Sequence, residues 1–177
     1  MDRAARNELC SLPATELAIR IRKLDVSPVE AVDAVLDRMA DLDTTLHAFC
    51  TPVPDQARER ARGIAERLAR GEDPGPLAGV PLGVKDLITT RGIRTTSGSV
   101  AYEDFVPDED DIVVERVLAA GAVVLGKTNA TEFGYSAVGH NPVFPATRNP
   151  WNTALTPGGS SAGSADAVAA GLRPVAL

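Results

Sequence analysis

The sequence feature that most restricts the fold is a run of glycines and serines, Thr156-Pro157-Gly158-Gly159-Ser160-Ser161-Ala162-Gly163-Ser164-Ala165. Glycine permits backbone angles closed to other residues, and serine is a good helix N-cap. An alanine-rich stretch follows, and Gly171 ends it as a helix C-cap would. The pattern predicts a tight loop feeding a helix N-terminus, where N–H groups and hydroxyls stabilise negative charge. A flexible Gly/Ser linker is the simpler alternative, but the helix-forming residues that follow at once disfavour it.

Composition narrows the function classes. With 177 residues the chain can form one domain with a sizeable core, and its net charge of −6 argues against nucleic acid as a direct partner. No apolar run approaches the ~20 residues that span a bilayer, so no membrane partner is expected. Cys10 and Cys50 are too few and too far apart for a disulfide framework, which predicts a reduced, cytoplasmic protein. His47 and His140 lack metal-ligand spacing and are interpreted as structural or surface residues.

The pattern divides the chain into a helical segment, 1–72, and the first part of an α/β core, 73–177. In the helical segment, Ser27 is predicted to cap a helix with Pro28 at its first position and Glu30 completing a capping box. A further helix is predicted from Asp55 to about Arg70.

The second segment predicts strands and helices in alternation. A short apolar stretch, 77–84, precedes a polar loop, and Asp110 or Asp111 caps a helix that Gly121 ends. Residues 122–125 are apolar and mostly β-branched or aliphatic, as in a strand buried on both faces. Helix followed by buried strand, repeated, predicts an α/β sheet with some parallel pairs. Residues 134–157 show little periodicity and are predicted to form a long surface loop.

Two lysines follow predicted strands. Burial at the end of a strand disfavours a lysine's charged form and can lower its pKa by up to ~3–5 units, so that it could accept a proton from a hydroxyl. Lys85 is the stronger candidate of the two, although this evidence alone favours a salt bridge with Asp86 or another acid. Lys127 presents the same choice.

Residues 159–163 have two rival interpretations. They fit G-x-S-x-G, the nucleophile elbow, with Ser161 as nucleophile. An elbow needs a preceding strand, which 153–157 with its proline does not favour, and the only histidines precede the serine rather than follow it. A phosphate cradle is disfavoured because no lysine follows the glycines.

Five ordered motifs resemble the amidase signature hydrolases, from about Ser11 to the last residue. Their order in one chain is far more specific than the elbow match. The fold that this resemblance implies is an α/β/α sandwich around a mixed sheet, incomplete here, with helices at the N-terminus. The motifs are residues 75–86, 95–99, 121–129, 148–152 and the glycine–serine loop.

The resemblance implies hydrolysis of a carboxylic amide by a Ser-Ser-Lys triad. Lys85 corresponds to the base, and Ser160 to the bridging serine, which lies behind a cis peptide bond in that family. Ser161 is expected to support Lys85 by hydrogen bonding, with Gly158 and Gly159 shaping the loop. A neutral lysine would accept the proton of Ser160, which would accept that of the nucleophile, so no histidine is needed. A small-molecule amide is the implied partner, and neither cofactor nor metal is implied.

The sequence departs from the family pattern in two ways. Ala162 stands where many members have glycine. The family's acylating serine lies in a further glycine-rich turn that also supplies the oxyanion-hole N–H groups, and we expect that turn to lie beyond Leu177. We therefore interpret the chain as an N-terminal fragment that holds two of three triad members and folds poorly alone, because its sheet would end in an apolar edge near Val175.

Other functions remain open. The chain could belong to a glutamyl-tRNA amidotransferase as its A subunit, although residues 132–145 look more like stand-alone amidases. It could also be a non-catalytic relic, or one half of an enzyme that needs a complementing chain or a homodimer.

Residues 1–177 alone are expected not to hydrolyse amides. Without a nucleophile no acyl-enzyme forms, and the missing oxyanion donors alone would lower the rate by about 10²–10³-fold. An ester and amide panel checks this. Turnover that Ser161→Ala abolishes and Ser160→Ala does not would instead support the nucleophile elbow.

Overall fold

The computed structural model describes residues 3–177. These residues form six α-helices, four strands and two short 3₁₀ turns at 100–102 and 132–134. The elements in chain order are α1 (Arg3–Ser11), α2 (Ala14–Arg22), α3 (Pro28–Leu46), β1 (Phe49–Pro52), α4 (Pro54–Ala69), β2 (Pro81–Lys85), α5 (Ile112–Ala119), β3 (Val123–Thr128), α6 (Ala162–Ala169) and β4 (Val175–Ala176).

The four strands form one open mixed sheet in the order β1-β3-β2-β4. Strand β2 pairs in parallel with β3 and β4, and β1 pairs antiparallel to β3. Strand β4, which contains Val175, lies at the edge, where the sequence predicted an edge strand. The mixed sheet confirms the predicted α/β class.

Helices cover both faces of this sheet. Val123 and Leu125 of β3 join a core cluster with residues of α3, α4 and α6, whereas Val124 joins a second cluster with Val114 of α5. Successive side chains of a strand point to opposite faces, so the alternation places the two clusters on the two sides. This arrangement is the expected α/β/α sandwich. Leu17 and Ile21 of α2 pack against α3 in a smaller cluster.

The predicted helix caps are present. Ser27 Oγ accepts the Val29 N–H at 3.2 Å, and the Glu30 carboxylate accepts the Ser27 N–H at 2.8 Å, completing the capping box. Of the two candidate caps for α5, Asp111 is the cap, since its side chain accepts the Val113 N–H at 3.0 Å.

The structure corrects the extent of two strands. Strand β3 runs to Thr128 and therefore includes Lys127, which was predicted to follow it. Strand β2 begins at Pro81 rather than Leu77, because Gly79 turns the chain with φ +74° just before it. Strand β1 and helix α1 were not predicted. β1 has four residues and ends in proline, too few for its alternation to stand out, and it takes its place by pairing with β3.

Helix α6 approaches the sheet closely at Gly163. A Cβ there would lie 2.1 Å from Ala48 O and 2.4 Å from Asn129 N, and the Gly163 N–H donates to Asn129 O at 2.8 Å. No side chain fits this contact, so Gly163 sets how near the glycine–serine loop lies to the strand ends.

Gly163→Ala is expected to lower the free energy of unfolding by about 3 kcal/mol, the upper part of the range for overpacking, because backbone atoms must move apart. The matched control is Gly63→Ala at an exposed position of α4, where a Cβ would meet nothing within 4 Å. That change should stabilise by about 0.5–1 kcal/mol through helix propensity. Denaturant unfolding of both variants measures the difference, and equal effects would contradict the close contact.

Candidate active site

Lys85 and Ser160 meet at the carboxyl end of β2. The Lys85 Nζ lies 2.7 Å from the Ser160 Oγ, across 75 positions of sequence. Lys85 is the last residue of β2, and Ser160 belongs to the loop that leads into α6. Both residues are half-buried. The two side chains that the sequence singled out for proton transfer are thus in hydrogen-bond contact.

The glycine–serine loop brings Ser160 to this position through its backbone. The peptide bond between Gly159 and Ser160 is cis, as the resemblance implied, and Gly158 has φ +90°. The Ser160 carbonyl accepts the Thr131 N–H at 3.2 Å, which ties the loop to the segment after β3. A Cβ at Gly159 would lie 3.0 Å from Thr131 Oγ1, so the loop runs tightly against that segment.

The environment of Lys85 favours its neutral form. Burial lowers the pKa of its ammonium group from the ordinary value. No salt bridge to Lys85 is found among residues 3–177. Asp86, the suggested partner, is 1% exposed and turns to Thr96, accepting its N–H at 3.2 Å and its hydroxyl at 2.5 Å. The salt-bridge explanation of Lys85 is therefore wrong in this structure.

Lys127 is buried more deeply and has a different set of partners. Its side chain is fully buried on β3, where Nζ donates to Ile88 O and to the hydroxyls of Thr90 at 2.9 Å and Thr95 at 3.0 Å. Burial lowers the pKa of Lys127 to about 8, and the carboxylate of Asp86 opposes this shift. Three acceptors fully engage an ammonium group. Lys127 therefore holds the loop that follows Lys85.

Ser161 does not join the pair. It is exposed at the N-cap position of α6, and no hydrogen bond among the described residues links its side chain to Lys85 or caps the helix. The predicted hydrogen bond from Ser161 to Lys85 is absent because the serine's backbone turns into the helix here. The elbow is also unsupported, since residues 153–157 form a turn and irregular backbone instead of a strand.

The two histidines lie apart from this pair. His47 ends α3 with φ +55°, and His140 is exposed in the long loop. Within residues 3–177, no three histidine, cysteine or acidic side chains lie close enough together to hold a metal ion. In the same part of the chain, no helix is both long and apolar enough to cross a membrane.

A lysine with a lowered pKa in contact with a serine hydroxyl can carry protons. As an ammonium, Lys85 donates to Ser160; once neutral, its nitrogen can accept the serine proton. Ser160 can then accept a proton from another group. The geometry thus supports a relay that needs no histidine.

Comparison with known proteins identifies the family. The family model described as Amidase matches residues 30–177. The chain belongs to the amidase family. The match begins near the start of α3 and includes Lys85, Ser160 and every strand of the sheet.

Two curated relatives of this amidase-family chain are parts of glutamyl-tRNA(Gln) amidotransferases. The A subunit of that enzyme from Carboxydothermus hydrogenoformans is 45% identical over 96% of the chain. The corresponding protein of Acidothermus cellulolyticus is 47% identical over 97%. The chain covers 35% and 34% of these proteins, so it spans about a third of the length of the curated relatives it matches.

A solved structure agrees with the fold of the amidase-family chain. A bacterial aryl acylamidase of the amidase signature enzymes superimposes with a TM-score of 0.88 at 32% identity. The match covers 93% of the chain and 34% of the acylamidase. The likeness supports both the α/β architecture and the family.

Lys127→Met is expected to lower the free energy of unfolding by about 1–3 kcal/mol, the cost of leaving buried polar groups without their hydrogen-bond donor. The carbonyl of Ile88 and two threonine hydroxyls would lose their donor. Lys23→Met is the control, because Lys23 is exposed at the end of α2. Urea unfolding compares the two, and similar midpoints would contradict the buried network.

Proposed function

We propose that the whole protein hydrolyses a carboxylic amide, with Lys85 as the base and Ser160 as the bridging proton carrier. The observation that carries this proposal is the 2.7 Å contact between Lys85 Nζ and Ser160 Oγ. Its support is the family, the lowered pKa of the lysine and the absence of a competing acid at its nitrogen among residues 3–177.

The proposed steps follow from these two groups. Neutral Lys85 takes the Ser160 proton while Ser160 takes the proton of an attacking hydroxyl, which adds to the amide carbon. Collapse of the tetrahedral intermediate breaks the C–N bond, and the leaving nitrogen receives a proton back along the same path. Water then cleaves the acyl-enzyme by the same relay.

The attacking hydroxyl is proposed to come from another part of the whole protein. Among residues 3–177, the Ser160 Oγ hydrogen-bonds only to Lys85, and no second hydroxyl lies within hydrogen-bond distance. The role proposed for Ser161, with Gly158 and Gly159, is to shape the loop around Ser160. The helical segment, 1–72, would support the α/β segment, 73–177, which holds every one of these residues.

A second candidate function is that of an amidotransferase component. The identities of 45% and 47% to two such A subunits favour this second function. They are stronger support than the resemblance of residues 132–145 to stand-alone amidases. The amide cleaved would then be glutamine, partner proteins would receive the ammonia, and the protein would work in the cytoplasm. Both functions use the same cleavage step at Lys85 and Ser160.

The test measures ammonia or amine release by the whole protein from a panel of small amides that includes glutamine. Lys85→Met and Ser160→Ala should each lower kcat by about 10²–10⁴-fold, the usual contribution of a general base. Activity requires neutral Lys85, so the rate should rise with pH through its pKa. Because burial lowers that pKa, the rise should centre below the ordinary lysine value.

Lys23→Met is the control and should leave kcat unchanged, since Lys23 is exposed at the end of α2. Release from glutamine alone would favour the amidotransferase function, whereas release from other amides would favour a stand-alone amidase. Full activity in Lys85→Met would rule out both, because each needs this base.

A further inference from the structure

Arg173 is a buried arginine that the proposed reaction does not use. It lies between α6 and β4 and is 1% exposed. Its guanidinium donates three hydrogen bonds to backbone carbonyls: Nη2 to Ser164 O at 2.7 Å, Nη1 to Val175 O at 2.9 Å, and Nη1 to Gly83 O at 3.4 Å.

These carbonyls belong to three different elements, α6, β4 and β2. Gly83 precedes Lys85 by two residues on β2, and Ser164 follows Ser160 by four at the start of α6. The planar guanidinium of Arg173 holds its donors in a fixed fork. It thus links β2, which ends at Lys85, to α6, which follows Ser160.

The slot for this guanidinium exists because residue 83 is glycine. A Cβ at position 83 would lie 2.8 Å from Arg173 Nε and 2.9 Å from its Cζ. Two nearby groups offset part of the cost of burying the charge. Asp166 attracts it when ionised, although burial raises the pKa of that carboxyl group to about 7, and the Phe49 ring lies 5.8 Å from Arg173 Cζ.

The pair of Asp166 and Arg173 is electrostatic and not hydrogen-bonded. Both carboxylate oxygens of Asp166 and the Nε of Arg173 are buried without a hydrogen-bond partner among the described residues. The two side chains also form no salt bridge within 4.0 Å among the described residues, so Asp166 does not account for the burial of the guanidinium. The three carbonyl contacts of Arg173 therefore matter for the elements that they join, which are β2, β4 and α6.

We propose that Arg173 is a positioning residue that sets the distance between Lys85 and Ser160 by clamping β2, β4 and α6 together. The proposal rests on the proposed function for its kinetic readout only. Without the clamp, α6 can shift relative to the end of β2, and Lys85 becomes more hydrated. A misplacement of about 1 Å in such a pair can lower the rate about 10²-fold.

The experiment compares Arg173→Met and Arg173→Lys in the whole protein with a matched control, Arg60→Met. Arg60 is a partly buried arginine that likewise donates to backbone carbonyls, those of Leu118 and Ala122, but it joins α4 to the end of α5 and the connection to β3. It therefore reports the general cost of losing such an arginine.

The first readout is the pKa of Lys85, followed by NMR of its side-chain carbon Cε across pH. Arg173→Met should raise this pKa toward the ordinary lysine value, because hydration restores the charged form. Arg173→Lys, which keeps the charge but not the fork, should raise it less. Arg60→Met should leave it unchanged.

The second readout is amide hydrolysis. Arg173→Met should lower kcat by about 10–100-fold with little change in KM, and should move the rising limb of the pH profile to higher pH. An unchanged Lys85 pKa in Arg173→Met, or an equal change in Arg60→Met, would overturn the proposal. If Arg173→Met does not fold, Arg173→Lys decides by the same criterion.

The two proposals fail in different ways. If Lys85→Met retains full hydrolysis, the proposed function fails, while the NMR titration still decides whether Arg173 positions Lys85. If Lys85→Met is inactive and the titration is the same with and without Arg173, only the positioning role fails.

Discussion

The arrangement of this chain depends on how closely α6 lies against the sheet. At Gly163 the helix backbone touches the backbone at Ala48 and Asn129, leaving no room for a side chain. This contact carries the preceding loop to the carboxyl end of β2, where Ser160 reaches Lys85. A wider separation would leave a serine and a lysine too far apart for proton transfer, whatever their identity.

Several buried charged side chains lie in the same part of the molecule as the contact between Lys85 and Ser160, and they differ in their hydrogen-bond partners. Lys127 is satisfied by a carbonyl and two hydroxyls, and Asp86 by Thr96. Arg173 is held by three carbonyls. Within the described part of the chain, Lys85 has a single side-chain partner, Ser160. A group with spare hydrogen-bonding capacity in a partly desolvated place is available for chemistry, whereas a fully engaged one serves structure.

Much of the fold could be predicted from local patterns. The capping box at Ser27, the cap at Asp111 and the apolar stretch of β3 are local features, and the structure confirms them. Strand β1 escaped prediction because it is short and depends on its pairing with β3. The start of β2 was misplaced because the turn at Gly79 interrupts an apolar stretch whose hydrophobicity alone looks continuous.

The family could be recognised from the sequence alone because its five motifs occur in order along the chain and each is a local pattern of residues. The folded chain was needed to show that Lys85 contacts Ser160 whereas Lys127 contacts Thr90 and Thr95, because the partners of each lysine come from distant parts of the sequence. The structure also shows the contacts of Arg173, whose hydrogen-bond partners are backbone carbonyls up to 90 positions away in the sequence. Backbone carbonyls carry no sequence signature, so the role of an arginine among them becomes visible only when the chain is folded.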